Sequence, residues 1–261
     1  MELKIKKLDG DEMEFVLSGT NPAFANALRR TMLREVPIMA IDEVEFVAND
    51  SVMHDEILSH TLGLIPLRTQ DGYLTPDECK CKEGRCPKCS VSLTLKREGP
   101  VTVTSGDLRS SDKKVVAVSS SILLVKLGEG QKLEFTAIAR LGLGKEHSKW
   151  QPGVVAYKYM PVFEIDLKAC DGCGACIERC PKNILELSEG KAKIIDVESC
   201  TMCRACVEAC PRDAIRVDHD ESRFIFKIES TGTLPPERIL LKATEALGKK
   251  CKDFVKQVKK L

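Results

Sequence analysis

One cysteine pattern occurs twice in this chain and constrains its fold more than any other feature. Residues 170–181 read CDGCGACIERCP, and residues 200–211 read CTMCRACVEACP. Each copy has the form C-x2-C-x2-C-x3-C-P. Three closely spaced thiolates of this kind hold one iron–sulfur cluster, while the fourth cysteine, beside the proline, ligates the neighbouring cluster. The two copies therefore predict two [4Fe-4S] clusters that exchange their fourth ligands.

The first predicted ligand set is Cys170, Cys173, Cys176 and Cys210, and the second is Cys200, Cys203, Cys206 and Cys180. Zinc sites or metal-free buried thiols are the alternatives, but a three-plus-one pattern fits the two-clip geometry of zinc poorly. Between the two runs, residues 183–199 alternate in polarity and predict a short hairpin with its turn at Gly190. The region from Phe163 to Asp220 resembles a two-cluster bacterial-type ferredoxin.

A third group of cysteines lies in CKCKEGRCPKC, residues 79–89. It comprises Cys79, Cys81, Cys86 and Cys89. Four thiolates at Zn–S distances of about 2.3 Å would close a tetrahedron and stabilise an otherwise irregular loop. We expect a structural zinc ion here, with reduced, metal-free cysteines as the alternative.

The composition is typical of a soluble protein and favours metals over disulfides. Charged residues make up 30% of the 261 residues, and the formal net charge is +1. The start of the chain lacks the apolar run of a signal peptide, and no apolar stretch reaches the length of a membrane span, so we expect a cytoplasmic protein. In that reducing compartment, 13 cysteines point to metal sites. We find no dinucleotide fingerprint or phosphate loop, and we predict no catalytic site.

Two amphipathic helices are predicted outside the cysteine runs. In GTNPAFANALRRTMLREV, Asn21 or Thr20 is the expected N-cap, with Pro22 in the first turn. Three apolar residues then share one face, while three arginines lie largely on the opposite side. The apolar residues are Phe24, Leu28 and Met32, and the arginines are Arg29, Arg30 and Arg34.

The second helix is expected to open at Pro235 and Pro236 and to carry a heptad-like apolar stripe. The stripe consists of Leu240, Ala243, Leu247, Cys251, Phe254 and Val258. The stripe packs either on the core of the chain itself or on a partner chain, and the spacing of its apolar residues does not indicate which. We expect Cys251 to be a small buried apolar residue. From Glu237 to Leu261 there are eight Lys/Arg against three Asp/Glu, which indicates a solvated face or, alternatively, a nucleic-acid contact.

Four segments together resemble the D-type subunit of archaeal RNA polymerase. They are FANALRRTMLREVPIMAIDEVEF, LSHTLGLIPL, ARLGLGKEHSKWQPG and FKIESTGTLPPERILLKATEAL. The resemblance extends more distantly to the third-largest subunit of eukaryotic RNA polymerase II and to the amino-terminal domain of the bacterial alpha subunit. Some archaeal members of this family carry a ferredoxin-like insertion, which would explain the paired cysteine runs.

This resemblance implies an α+β fold with a discontinuous dimerisation domain, residues 1–47 and 220–261. A mostly β domain, residues 48–161, and the ferredoxin-like domain, residues 163–219, would be inserted into it. The chain would re-enter the dimerisation domain through a strand in SRFIFKIEST. The resemblance implies a non-catalytic assembly subunit. The rival interpretation, from the cysteine pattern alone, is a ferredoxin-type electron-transfer subunit of an oxidoreductase.

The resemblance also implies the partners. An L-type subunit would pair with the chain through packed helices, and the heterodimer would form a platform for the large catalytic subunits, beside small assembly subunits. DNA would be contacted only indirectly. The implied interface residues are Phe24, Leu28, Met32, Leu240, Leu247, Phe254 and Val258, with Arg29 and Arg30 facing a large subunit.

Overall fold

The structure is a computed structural model that describes residues 1–81 and 85–260. Its elements follow in the order β1 (Glu2–Asp9), β2 (Glu12–Ser18), α1 (Pro22–Arg34), β3 (Ile38–Asn49), α2 (Asp55–Gly63), β4 (Ser90–Glu98), β5 (Val101–Thr104), β6 (Arg109–Ser110), β7 (Leu123–Leu127), β8 (Lys132–Gly142), β9 (Gly153–Ile165), α3 (Ala175–Glu178), β10 (Leu185–Ser188), β11 (Lys191–Ile194), α4 (Ala205–Glu208), β12 (Ile215–Ser230) and α5 (Pro236–Val258). This is a mixed fold of helices and sheets.

The chain divides into two compact units, each assembled from separate stretches of sequence. Unit 1 consists of Met1–Lys6, Glu14–Asn26 and Ala156–Lys227. Unit 2 consists of Lys7–Met13, Ala27–Val155 and Ile228–Leu261. The domain boundaries expected from the sequence remain predictions.

Strands β1, β2, β12 and β9, most of whose residues belong to unit 1, are hydrogen-bonded in that order in one sheet. Aromatic side chains from three of these strands pack together. Phe15 of β2 stacks on Phe226 of β12 with ring centroids 4.9 Å apart, and Tyr157 of β9 lies 5.2 Å from Phe226. Because large rings bury extensive apolar surface, this cluster stabilises the packing between the strands of this sheet.

The hairpin predicted between the cysteine runs is confirmed. Strands β10 and β11 pair antiparallel, with Ser188 opposite Lys191. The two residues of the turn, Glu189 and Gly190, have φ values of 52° and 74°. Positive φ at both central positions is the conformation that joins antiparallel strands with their natural twist.

In unit 2, strands β3, β8, β4 and β6 form a second sheet, and β5 pairs with β7. Strand β8 is central and pairs antiparallel with both β3 and β4. Alternate residues of β8, such as Leu133, Phe135 and Ala137, point into the core, which is also lined by Leu58 and Leu62 of α2. This alternation is the period-two pattern of a strand with one buried face.

Both flanking helices begin where the sequence predicts. The backbone N–H of Phe24 donates to Oδ1 of Asn21 at 2.9 Å, so Asn21 is the N-cap of α1. Helix α5 begins at Pro236. Strand β12 begins at Ile215, earlier than the strand expected from SRFIFKIEST, because alternating burial already starts at Ile215 and Val217. Among the described residues, no helix is long and apolar enough to cross a membrane.

Candidate metal centres and partner surface

The two cysteine runs have matching backbones. At three equivalent positions, both runs adopt the left-handed conformation that favours glycine. The pairs are Gly172 (φ 74°) with Met202 (55°), Gly174 (81°) with Arg204 (61°), and Asn183 (51°) with Asp213 (49°). The repeat in the sequence is therefore also a repeat in local geometry. Helices α3 and α4 start directly after Gly174 and Arg204.

The cysteines of the two runs are brought together in exchanged sets. One cavity in unit 1 is lined by Cys170, Cys173, Cys176 and Cys210. A second is lined by Cys180, Cys200, Cys203 and Cys206. Each cavity thus receives three cysteines from one run and the fourth from the other. These groupings match the two predicted ligand sets, and the assignment of clusters to them remains a prediction.

The surroundings of these cysteines suit thiolate ligands of a metal cluster. The backbone N–H of Met202 donates to Sγ of Cys200 at 3.2 Å, and that of Ala214 donates to Sγ of Cys210 at 3.3 Å. Burial raises the pKa of the Cys176 and Cys206 thiols. Thiolates at these buried positions need a compensating positive charge, which a bound metal supplies.

The hairpin β10–β11 packs its turn against the first cysteine run. A Cβ placed on Gly172 would lie 2.2 Å from the backbone oxygen of Gly190. No side chain fits at that distance, and Gly172 also has positive φ. Glycine is therefore required at this position by both space and backbone conformation.

The third cysteine group forms a compact four-sulfur site in unit 2. The Sγ atoms of Cys79, Cys81, Cys86 and Cys89 all lie within 4.8 Å of one another, so the group can hold a metal ion. Measured Sγ–Sγ distances include 3.2 Å for Cys79–Cys81 and 3.5 Å for Cys86–Cys89. A zinc tetrahedron with Zn–S bonds of about 2.3 Å has edges of about 3.8 Å, so only small movements are needed. Residues 82–84 of the predicted loop 79–89 lie outside the described residues.

Hydrogen bonds and burial shift the pKa values of two thiols in this group in opposite directions. Hydrogen bonds from neighbouring thiols, that of Cys79 first, lower the pKa of Cys81 to about 6. Burial raises the pKa of Cys89 to about 12. The Cys81 thiolate is therefore available at neutral pH to begin metal binding, and the Cys89 thiol must release its proton as the ion is bound.

The residues expected at the partner interface differ in burial. Leu28 and Met32 are 2% and 0% exposed and belong to the core of the chain itself, and Phe24 is half-buried. Leu240 and Leu247 are also half-buried, whereas Phe254 and Val258 are exposed. Arg29 is half-buried and Arg30 is exposed. The apolar stripe of α5 is thus covered near its start and uncovered near its end.

One expectation about α5 is wrong: Cys251 is exposed, not buried. The buried side chains described for α5 are Pro236, Ile239 and Ala243, all in its first two turns. Cys251 lies beyond this part of the helix and is therefore exposed. Leu241 and Val255 are exposed apolar residues beside the stripe that the heptad pattern does not predict. The adjacent pairs Leu240–Leu241 and Phe254–Val255 in the sequence are the signal of this wider apolar surface.

The sequence is similar to that of known proteins over nearly the whole chain. The chain matches the RNA polymerase Rpb3/Rpb11 dimerisation domain over residues 14–251. The chain belongs to this family. Relatives named DNA-directed RNA polymerase subunit Rpo3 occur in Methanothermobacter thermautotrophicus (45% identical over 98% of both chains), Archaeoglobus fulgidus (40%, over 100% of this chain and 98% of the relative) and Thermococcus kodakarensis (39%, over 100% and 99%). The resemblance stated from four sequence segments therefore holds over the whole chain.

Proposed function

We propose that the chain is a non-catalytic assembly subunit of a DNA-directed RNA polymerase. It pairs with an L-type subunit, and the heterodimer forms the platform on which the large catalytic subunits and small assembly subunits bind. The observation that carries this proposal is the end of α5, where Phe254 is 67% and Val258 49% exposed, in a chain whose family is defined by a dimerisation domain. An exposed apolar face of this kind favours a partner chain over solvent.

The apolar end of α5 provides a direct test of pairing. We expect Phe254→Asp to weaken binding of the L-type subunit by about 30-fold or more, because buried aromatic residues are frequent hot spots of interfaces. Gln257→Asp introduces the same charge at an exposed position of the same turn and is the matched control. The measurement is the dissociation constant of the purified pair. Equal affinity of Phe254→Asp and the wild type would remove α5 from the proposed interface.

We further propose that the eight cysteines of the two runs hold two [4Fe-4S] clusters in the exchanged sets given above. The cavities lined by three cysteines of one run and one of the other support this arrangement. The clusters would act mainly as structural cross-links, because six of the eight cysteines pack into one small apolar core with Ile184, Ile215 and Val217. The proposed role of Cys79, Cys81, Cys86 and Cys89 is to bind one structural zinc ion.

The structural role predicts a link between the clusters and assembly. We expect Cys173→Ser to lower the iron content of the anaerobically purified chain and to reduce co-purification with the large polymerase subunits. Thr201→Ser is the control, since Thr201 is exposed within the second cysteine run and offers no thiol ligand. Undiminished assembly of the iron-depleted variant would count against a regulatory or structural effect of the clusters on the polymerase.

Electron transfer is the second candidate, because the cysteine pattern is that of a ferredoxin. The family match over residues 14–251 does not favour it. Purification of the tagged chain from its native lysate separates the two functions. An assembly subunit is recovered with RNA polymerase chains, whereas an electron carrier is recovered with a redox enzyme and turns over with it.

A further inference from the structure

Two lysine side chains make the same hydrogen bond to the two cysteine runs. Nζ of Lys158 donates to the backbone oxygen of Cys200 at 2.9 Å. Nζ of Lys191 donates to the backbone oxygen of Cys170. Cys170 and Cys200 are the first cysteines of their runs, so the two lysines bind equivalent points of the repeat. All four residues lie in unit 1.

The lysines are exchanged between the runs in the same way as the fourth cysteines. Lys158 lies on β9, the strand that leads into the run beginning at Cys170, yet it bonds the other run. Lys191 lies on β11, which leads into the run beginning at Cys200, and it bonds the first. Each cysteine run therefore has four thiols and also one lysine that bonds its first cysteine.

We propose that Lys158 and Lys191 are positioning residues for the two clusters. Each holds the first cysteine of the opposite run in place and fixes a positive charge beside the cluster that this cysteine ligates. The inference rests on the iron–sulfur clusters proposed above. A cluster with four thiolate ligands is anionic, and reduction adds a further negative charge. A fixed cation nearby therefore favours the reduced state and raises the reduction potential.

Removal of Lys158 is expected to weaken its cluster more than removal of Lys191 weakens the other. Lys158 also donates to the backbone oxygen of Glu198, so it joins two carbonyl groups of the turn that precedes Cys200. The carboxylate of Glu198 in turn pairs with Lys6 at 2.5 Å. For Lys191, the bond to the backbone oxygen of Cys170 is the one such bond among the described residues. Removal of Lys158 leaves two partly buried acceptors without this donor, so its cluster is the more easily lost.

The test compares Lys158→Met and Lys191→Met in the full-length chain loaded with iron and sulfide under anaerobic conditions. Methionine keeps most of the length of the side chain and removes the charge and the donors. Iron content and the midpoint potentials of both clusters are measured, the latter by electron paramagnetic resonance during a reductive titration. Lys193→Met is the matched control, because Lys193 is exposed on the same strand as Lys191, opposite Glu186.

We expect each methionine variant to shift one of the two reduction steps to lower potential, and the two variants to shift different steps. Loss of about half of the iron, as one of two four-iron clusters, supports the same role. Lys158→Arg and Lys191→Arg keep the charge and should restore part of the potential. Wild-type iron content and potentials in both methionine variants would overturn the proposal. A wild-type chain that takes up no iron would overturn the proposed clusters themselves.

Discussion

Asp71 accepts a hydrogen bond from Lys242 of α5 at 2.8 Å and also pairs with Arg238 one turn earlier on the same helix. Residues 69–78, which we call the strap, also contact Thr233, just before α5, and Lys249 within it. The N–H of Thr69 donates to the oxygen of Thr233 at 2.9 Å, and Glu78 lies 3.7 Å from Lys249. Cys79 directly follows the strap, so the proposed zinc site begins where this segment beside the proposed partner helix ends.

The strap should stabilise α5 modestly through Asp71. We expect Asp71→Asn to lower the free energy of unfolding by less than about 1 kcal/mol, since Asp71 is an exposed ion-pair partner. The loss should diminish as salt screens the charges. Asp77→Asn is the control, because Asp77 is a carboxylate exposed in the same segment. Urea unfolding at low and high salt measures both variants, and equal stability of Asp71→Asn and Asp77→Asn would contradict the role of the strap.

The same contact has a defined pH dependence. Hydrogen bonding and charge from Lys242, with a smaller contribution from Arg238, lower the pKa of Asp71 in the folded chain. A lowered folded pKa means that the stabilisation is present above the ordinary carboxyl pKa of about 3.9 and is lost as pH falls through the folded value. The difference between wild type and Asp71→Asn should therefore be constant from neutral pH to about pH 5 and decline only in stronger acid.

Gly172 of the first cysteine run should be less replaceable than Gly190 of the hairpin turn. We expect Gly172→Ala to lose more stability and more iron than Gly190→Ala, because only at Gly172 would the new Cβ meet backbone, 2.2 Å from the oxygen of Gly190. Both glycines have φ of 74°, so the conformational strain of about 1–2 kcal/mol is common to both variants. Iron per chain and urea midpoints are the measurements. Equal effects of the two substitutions would mean that the positive φ alone, and not the close backbone contact, determines the loss of stability and iron.

Arg204 occupies a left-handed position where the equivalent residue of the first run is Gly174. We expect Arg204→Gly to raise the free energy of unfolding by up to about 1 kcal/mol, since glycine removes the strain but loses more chain entropy on folding. The reciprocal change Gly174→Arg should lower it, although open space surrounds the Cβ position there. Chemical unfolding of the anaerobically purified, iron-loaded chain compares the two variants. A destabilised Arg204→Gly variant would show that the arginine side chain makes a compensating contact.

Replacement of Cys86 should change the zinc content of the chain without changing its iron content. We expect Cys86→Ser to abolish bound zinc while leaving iron unchanged, because Cys86 belongs to a sulfur group in unit 2 and the paired cysteine runs lie in unit 1. Elemental analysis of the purified chain gives both metals in one experiment. A fall in iron on this substitution would contradict the zinc assignment.

Features set by residues close together in the sequence were predicted well. Asn21 at the start of α1, Pro236 at the start of α5 and Gly190 in the hairpin turn all act within a few residues. Their conformational preferences are local, so neighbouring residues suffice to reveal them. The start of β12 was missed because Ile215 and Val217 belong to the cysteine segment in the sequence but continue the same strand in the structure.

The sequence alone determined which residues repeat, where the flanking helices begin, and which thiols are expected in each exchanged group, because spacing and local backbone preference decide these features. Only the tertiary structure decided which apolar residues of α5 are covered, that Cys251 is exposed, and that Lys158 and Lys191 meet the opposite cysteine runs. Burial and long-range contacts of this kind join residues up to 215 positions apart, such as Lys250 with Glu35, and no local pattern encodes such pairs.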